Sequence, residues 1–149
     1  MTSLYTNITK QVAAIIEGGT YSKPIKVCRE YIASVEAKRL PTDAPYIVSI
    51  TPMGLSGRPG DRQGLQEADY SIGVEFLAQL RNTNNVEKID EFFTIIEEIQ
   101  DGVASNPFLA EGYLVFPYAN DTAFSQQAAT EQVTFKNLTT LTYRVTRGQ

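Results

Sequence analysis

Residues 46–79, YIVSITPMGLSGRPGDRQGLQEADYSIGVEFLAQ, set the architecture that the sequence predicts for this chain. At the two ends of this stretch, Tyr46–Thr51 and Tyr70–Gln79, side chains alternate between two faces with the period of two that is typical of β-strands. Residues 52–69 between them show no period and contain four glycines, and connections of this length are usually functional or disordered. The stretch therefore predicts two strands joined by an extended hairpin or arm, residues 52–69, that projects from a sheet.

One helix and one strand are predicted before this stretch. Between Ser3 and Glu17 apolar residues recur about once per helical turn, which predicts an amphipathic helix. Thr2 or Ser3 is a suitable N-cap, and the glycine pair at 18–19 ends the helix. Residues 21–31 alternate between two faces and predict the first strand.

A second helix and two further strands are predicted after the arm. A wide apolar stripe predicts a helix over Val86–Val103, and alternation predicts strands over Tyr113–Tyr118 and Gln132–Val145, with a polar loop, Ala119–Glu131, between them. This order predicts an α+β fold in one domain, residues 1–149. Because connections of the hairpin type dominate, we expect a mainly antiparallel five-stranded sheet, with two helices packed on one face and a long hairpin arm.

The composition excludes several classes of enzyme. The chain of 149 residues has no histidine and one cysteine, Cys28. These counts remove nucleophilic systems that use histidine, zinc sites with histidine ligands and any cysteine-rich metal site. We therefore expect no catalytic, cofactor-binding or metal site, and the chain is predicted not to be an enzyme.

Charge and hydropathy also limit the partners. The net charge is −4, from 13 basic and 17 acidic side chains, which predicts no general footprint for nucleic acid. No apolar run approaches the roughly 20 residues needed to cross a bilayer. The first residues lack the basic segment and apolar stretch of a secretory signal. We expect synthesis and folding in a cytosol, without a membrane.

The glycine-rich part of the arm, Gly54–Gly64, is the strongest candidate for a site. It lacks the Gly-Lys-Ser/Thr ending of a P-loop and leads into a strand, so no helix N-terminus is available for a phosphate. Two interpretations remain: a surface loop, or an arm that orders against an adjacent subunit, with Arg58 and Arg62 available for carboxylates. The acidic residues of the second helix follow no calcium-loop pattern and are interpreted as a solvated face. Cys28, within a strand, is interpreted as a small buried hydrophobe rather than a reactive thiol.

The layout of the whole chain resembles that of the tail terminator (tail completion) proteins of long-tailed bacteriophages and of related small neck proteins at the head–tail junction. The resemblance starts from the N-terminal helix, Ser3–Glu17, the strand IKVCREY at residues 25–31 and the proline-flanked approach to YIVSITP at 46–52. The glycine-rich arm, the strand at 70–79, the acidic helix and the closing pair of strands complete it. The resemblance covers nearly all of the chain.

This resemblance implies a structural virion protein that assembles into a homo-oligomeric, hexameric ring. Such a ring caps the tail tube, terminates tail elongation and joins the tail to the neck of the filled head. Its partners would be further copies of itself, the tail tube protein and neck or connector proteins. DNA would pass through the lumen without sequence-specific binding, and an acidic lumen would suit the net charge of −4. The protein would be made in the host cytoplasm and reside in the virion.

The resemblance supplies no short motif for the subunit contacts, so these are predicted from this sequence. We place them on the arm and on the polar loop 119–131, because an arm that reaches sideways suits the heterologous contacts of a ring. The predicted interface residues are Leu55, Arg58, Arg62, Gln63 and Leu65.

Three alternatives remain open. Another neck, head-completion or tail tube component would share most of these features. A small-molecule binding module would use a pocket between the sheet and the helices, lined by Phe92, Phe93 and tyrosines. An enzyme would have to work through carboxylates, lysine or tyrosine alone, and loss of turnover in Glu75→Gln would support it.

Overall fold

A computed structural model of the chain describes residues 3–29, 46–58, 65–79, 86–110, 113–115, 117–124 and 134–148. Within these ranges the structure has two helices and seven strands. In chain order they are α1 (Leu4–Glu17), β1 (Ile25–Arg29), β2 (Tyr46–Arg58), β3 (Leu65–Gln79), α2 (Val86–Ala104), β4 (Phe108–Ala110), β5 (Tyr113–Val115), β6 (Pro117–Phe124) and β7 (Thr134–Gly148).

The helix α1 begins and ends where the sequence predicts. At its start the Thr6 backbone N–H donates to the Ser3 hydroxyl oxygen at 3.0 Å, which satisfies one of the N–H groups that the first turn leaves without a helical partner. At its end the Gly18 N–H donates to the Ala14 carbonyl at 2.9 Å. The second helix, α2, covers the apolar stripe that predicted it.

Five strands form the main sheet in the order β1-β2-β3-β7-β6, and β4 and β5 form a separate antiparallel pair. β1 runs parallel to β2, from Ile25 opposite Tyr46 to Arg29 opposite Ile50, whereas the other neighbours in the sheet are antiparallel. The α+β class is confirmed, but the sheet is mixed. The expected antiparallel pairing is wrong for β1; residues 30–45, between β1 and β2, are enough for the connection of a dozen or more residues that parallel strands require.

The C-terminal strands also differ from the prediction. The predicted strand Tyr113–Tyr118 is divided between β5, which pairs with β4, and the start of β6. β6 then continues to Phe124, inside the predicted loop Ala119–Glu131, and β7 continues past Val145 to Gly148. β6 is the last strand of the sheet. Polar sequence is common in such edge strands, so apolar alternation is a poor guide to them.

The core lies between one face of the sheet and both helices. On β3, the Tyr70 ring meets Tyr5 of α1 edge-on at 5.3 Å between centroids, and Phe76 packs against Phe92 of α2 at 5.7 Å. Residues 70 and 76 share one parity on the strand, so both helices cover the same face of the sheet. Phe135 of β7 completes the aromatic cluster, 4.8 Å from Phe92. This packing places the start of α1 beside the part of the sheet from which the arm extends.

Candidate subunit interface

The arm is largely β-structure, although the sequence of residues 52–69 shows no period. β2 continues through residues 52–58, β3 begins at Leu65, and the two strands pair as far as Arg58 opposite Glu67. Glycine and proline residues hide this strand in the sequence because they interrupt the alternation of side chains. Residues 59–64, which join the two strands, lie outside the described residues.

A third strand supports the arm. β7 pairs with β3 along the whole of β3, ending with Leu65 opposite Gly148, so the arm is a three-stranded extension of the sheet. Arg144 of β7 lies opposite Asp69 of β3, and its guanidinium donates two hydrogen bonds to the two carboxylate oxygens at 2.8 and 3.1 Å. This bidentate geometry fixes both side chains and adds a link between the two strands.

α1 holds the base of the arm through one tyrosine. β2 and β3 shift register between Pro52 and Gly54, a β-bulge at which the regular ladder of backbone hydrogen bonds is interrupted. The Tyr5 hydroxyl oxygen lies 2.8 Å from both the nitrogen and the carbonyl oxygen of Gly54, and 2.5 Å from the carbonyl oxygen of Ser71. It accepts from the Gly54 N–H and donates its one hydrogen to either carbonyl. The hydroxyl thus supplies hydrogen bonds at the bulge and ties the arm to the helix.

Two large apolar side chains are exposed at this bulge: Met53 is 49% exposed and Leu55 is 58% exposed. Leu55 stands opposite Tyr70, on the helix side of the sheet. A Cβ atom built on Gly73 would lie 2.9 Å from the Met53 sulfur. Gly73 and Tyr70 have opposite parity on β3, so the Met53 side chain lies on the face of the sheet that is opposite the helices. The arm therefore presents apolar surface on both faces, and exposed apolar surface often marks a site of protein contact.

Three of the five predicted interface residues lie on the strands of the arm: Leu55, Arg58 and Leu65. The other two lie outside the described residues: Arg62 and Gln63. Arg58 is the last residue of β2 and Leu65 the first of β3, so the structure brings these two positions to the outer end of the arm. In the second predicted interface region, 119–131, residues 119–124 belong to β6 instead of a loop.

The backbone of the arm has outer edges that no described strand covers. β1 pairs with β2 only as far as Ile50, and β6 pairs with β7 only as far as Tyr143. Beyond these points, residues 51–58 of β2 and 144–148 of β7 have no further neighbouring strand in the part of the chain that the structure describes. Such edges present N–H and C=O groups that another chain can pair with.

A groove of about 470 Å³ opens beside the base of the arm. Its described lining comes from α1, β1 and β2: Ser3, Tyr5, Thr6, Thr9, Arg29, Ile50 and Pro52. The described lining combines hydroxyl groups with the guanidinium of Arg29. One of these hydroxyl groups already has a partner within α1, because the Thr9 hydroxyl donates to the Tyr5 carbonyl at 2.8 Å. The sequence carries no signal for this groove, because its walls come from three segments that meet only in the fold.

The residues considered for chemistry make ordinary structural contacts. The Cys28 thiol is half-buried and lies 3.8 Å from the Val48 carbonyl oxygen, to which it donates a weak hydrogen bond. Glu75 is buried, and its carboxylate lies 3.7 Å from the Lys136 ammonium group. Among the described residues, no group of three or more histidine, cysteine, aspartate or glutamate side chains converges to hold a metal ion.

Of the two phenylalanines proposed to line a small-molecule pocket, Phe92 lies in the core and Phe93 lies at its surface. Phe92 is fully buried, and the gap near it, beside Val74 and Phe76, has a volume of about 10 Å³, about what a single water requires. Phe93 is 37% exposed, and its ring meets Phe135 edge-on at 5.5 Å.

The arm is suited to contact with another protein chain, because it combines exposed apolar side chains with uncovered strand edges. No helix among the described residues is long and apolar enough to cross a membrane. The chain matches no known protein family and no curated protein.

Proposed function

We propose that the chain is a structural virion protein of a long-tailed bacteriophage that assembles into a hexameric ring. The ring would cap the tail tube, terminate tail elongation and join the tail to the head or neck. One observation carries the proposal: the arm is a three-stranded extension of the sheet, tied to α1 by Tyr5, with Leu55 and Met53 exposed at its base. An element of this kind supports contact between subunits rather than catalysis.

The construction of the arm favours a ring over a looser association. A ring requires heterologous contacts that repeat with a constant rotation from one subunit to the next. Paired strands keep a constant direction relative to the rest of the sheet, which an unpaired loop does not. Two contacts help to keep the direction of the arm constant: the Arg144–Asp69 pair joins β3 to β7, and the Tyr5 hydroxyl joins the arm to α1.

The partners follow from the proposed position in the virion. They are further copies of this chain, the tail tube protein and neck or connector proteins. DNA would pass through the lumen without sequence-specific binding, and the net charge of −4 would keep it from adhering. A tail tube or head-completion component is the alternative within this class. A tube protein would give tubes of many stacked rings, whereas a terminator would give a single ring.

The test is the mass of the particle, measured by native mass spectrometry and by negative-stain imaging, alone and after addition of tail tubes. We expect a ring of six subunits, free or at one end of each tube. A particle that stays strictly monomeric and leaves tube ends bare would overturn the proposal.

The arm is tested by Leu55→Glu. This change puts a charge on a side chain that is 58% exposed and stands opposite Tyr70 on the arm, so we expect the monomer to fold but the ring to be lost. The matched control is Ala14→Glu, which adds the same charge to an exposed position of α1. A ring that persists in Leu55→Glu as it does in Ala14→Glu would exclude this part of the arm from the interface.

A second candidate function is favoured by one observation, the groove of about 470 Å³ that contains Arg29. Its size lies within the range of small-molecule sites, and a guanidinium among hydroxyl groups suits a carboxylate or phosphate group. A binding module of this kind should be a monomer or dimer. It should also be stabilised against thermal unfolding by a small anion such as phosphate, and lose that effect in Arg29→Gln.

A further inference from the structure

Two sides of the domain carry opposite charge. The first, which we call the basic flank, is residues 21–29, the segment that leads into and forms β1. It contains three basic residues and no acidic one: Lys23, Lys26 and Arg29. All three are exposed; Arg29 lies on the helix side of the sheet, opposite Ile50, and Lys26 lies on the other face of the strand. β1 is the first strand in the order of the sheet, and its outer side has no neighbouring strand among the described residues.

The second surface lies on α2, whose sequence contains six acidic residues and one basic residue. Exposed positions recur along it every three or four residues, so they form one stripe on the helix. We call this stripe the acidic helix face: Val86, Asp90, Phe93 and Glu97. It combines two carboxylates with two large exposed apolar side chains, since Val86 is 65% and Phe93 37% exposed.

Contacts within the subunit show which acidic groups of α2 remain at the surface. Glu91 pairs with Lys88 at 3.6 Å and accepts from the Tyr46 hydroxyl, and Glu98 accepts from the backbone N–H and hydroxyl of Ser22. These two carboxylates therefore serve the fold. The carboxylates of the acidic helix face are exposed instead, at positions whose charge is directed to solvent or to a partner.

The basic flank touches α2 where Ser22 binds Glu98, but the acidic helix face reaches the side of α2 that lies toward β7. Phe93 rests on Phe135 of β7, whereas the basic flank belongs to β1. In the order β1-β2-β3-β7-β6, β1 and β7 are three strand spacings apart, or roughly 14 Å at the usual distance between strands. A second copy can therefore approach one surface while the first copy offers the other surface to a third.

We propose that the basic flank of one copy binds the acidic helix face of the next copy, head to tail. Pairing either surface with itself would oppose like charges, and this disfavours a two-fold dimer. Pairing one with the other sets the open edge of β1 against the helix, so that Lys26 and Arg29, from the two faces of the strand, flank the carboxylates of Asp90 and Glu97, and it covers Phe93. This inference rests on the proposed function in one respect: a head-to-tail contact is the kind that closes into a ring.

The test exchanges charge between the two surfaces. One variant carries Lys26→Glu and Arg29→Glu, and the other carries Asp90→Lys and Glu97→Lys. Because each reversal replaces attraction by repulsion at exposed pairs, we expect the association constant of each variant to fall roughly tenfold to a hundredfold, measured by analytical ultracentrifugation. A chain that carries all four reversals should recover the assembly of the wild type.

A mixture of the two double variants gives the sharpest outcome. In the mixture, the reversed flank of one variant faces the reversed helix of the other, and each wild-type surface also finds its wild-type counterpart. Alternating assemblies of the two variants should therefore form in the mixture at concentrations at which neither variant assembles alone. A control variant with Lys10→Glu and Glu17→Lys makes the same kinds of change at exposed positions of α1, and it should assemble as the wild type does.

The failure of this inference can be told from the failure of the proposed function. If the wild type forms rings or caps tubes and both double variants do so equally well, the proposed contact is overturned while the ring proposal stands. If the four reversals restore an association that the double variants lose, but the assembly is an open chain that leaves tube ends bare, the contact stands and the ring proposal falls. Two-fold dimers in the wild type would overturn the head-to-tail contact.

Discussion

Tyr5→Phe removes one oxygen atom from the base of the arm and leaves the aromatic ring in place. The lost hydroxyl accepts from the Gly54 N–H at 2.8 Å and donates to the carbonyl of Gly54 or Ser71. Two hydrogen bonds are lost at about 0.5–1.5 kcal/mol each, and water can reach Gly54 and restore part of this, so we expect a loss of about 1–2 kcal/mol in the free energy of unfolding. For a chain of this size that corresponds to a fall in Tm of roughly 2–8 °C.

The assay combines urea unfolding with hydrogen exchange of the Gly54 amide. Exchange at this amide should become at least about tenfold faster in the variant, because the amide loses its acceptor at the bulge. Tyr21→Phe is the matched control: its hydroxyl donates to the Ile16 carbonyl at the end of α1, away from the arm. This control should lose a similar stability and keep the wild-type exchange rate at Gly54.

Two results would contradict this role of the Tyr5 hydroxyl. Unchanged exchange at Gly54 in Tyr5→Phe would show that the hydroxyl does not hold the bulge. Equal acceleration in Tyr21→Phe would show that exchange follows the global stability of the fold rather than the local contact.

Three further predictions concern the core. The Tyr143 hydroxyl is buried and has no hydrogen-bond partner among the described residues, and burial raises the pKa of Tyr143 above its ordinary value near 10. Since the folded state favours the protonated form, this contribution to stability is present below pH 10 and is lost as the pH rises above 10. Tyr143→Phe should therefore be neutral or stabilising by up to about 1 kcal/mol near neutral pH, and its urea midpoint should fall less than that of the wild type on alkaline titration. Phe92→Ala removes a fully buried ring from the aromatic cluster and should cost about 3–5 kcal/mol in urea unfolding. Gly73→Ala places a Cβ atom 2.9 Å from Met53 and 3.2 Å from Leu138; because Met53 is long and half exposed it can move aside, so calorimetry should show a loss below about 1 kcal/mol, and a loss well above that value would mean that Met53 is fixed.

The sequence predicted the elements whose signals are local. α1 was predicted because its apolar period, its N-cap and its terminal glycines lie within one segment. The central strand was predicted, with its faces, by alternation alone: Ile72, Val74 and Phe76 are buried on the helix side as the pattern indicates. In both elements the residues that determine the structure are neighbours in the chain.

The elements that the sequence did not predict depend on pairing between distant segments. The parallel direction of β1 shows only in its pairing with β2, and the arm is supported through β3 by β7, which lies far along the chain. The part played by Tyr5 could not be predicted either, since a tyrosine on an amphipathic helix carries no sign that its hydroxyl meets a bulge at Gly54. Of the predicted interface residues, Leu55 is the one whose side chain the structure describes as exposed.

Under the proposed function, the contact of the Tyr5 hydroxyl with Gly54 also affects the angle between neighbouring subunits. A ring closes only if every subunit is rotated by the same angle from its neighbour, and the direction of the arm helps to set that angle. Tyr5→Phe leaves Leu55, Met53 and the charged surfaces in place, but it frees the base of the arm. We therefore expect this variant to assemble with a spread of subunit numbers instead of remaining monomeric, whereas Tyr21→Phe should give the wild-type ring. Native mass spectrometry of the two variants measures the distribution directly. A single, wild-type subunit number in Tyr5→Phe would show that the angle between subunits is set elsewhere than at the base of the arm.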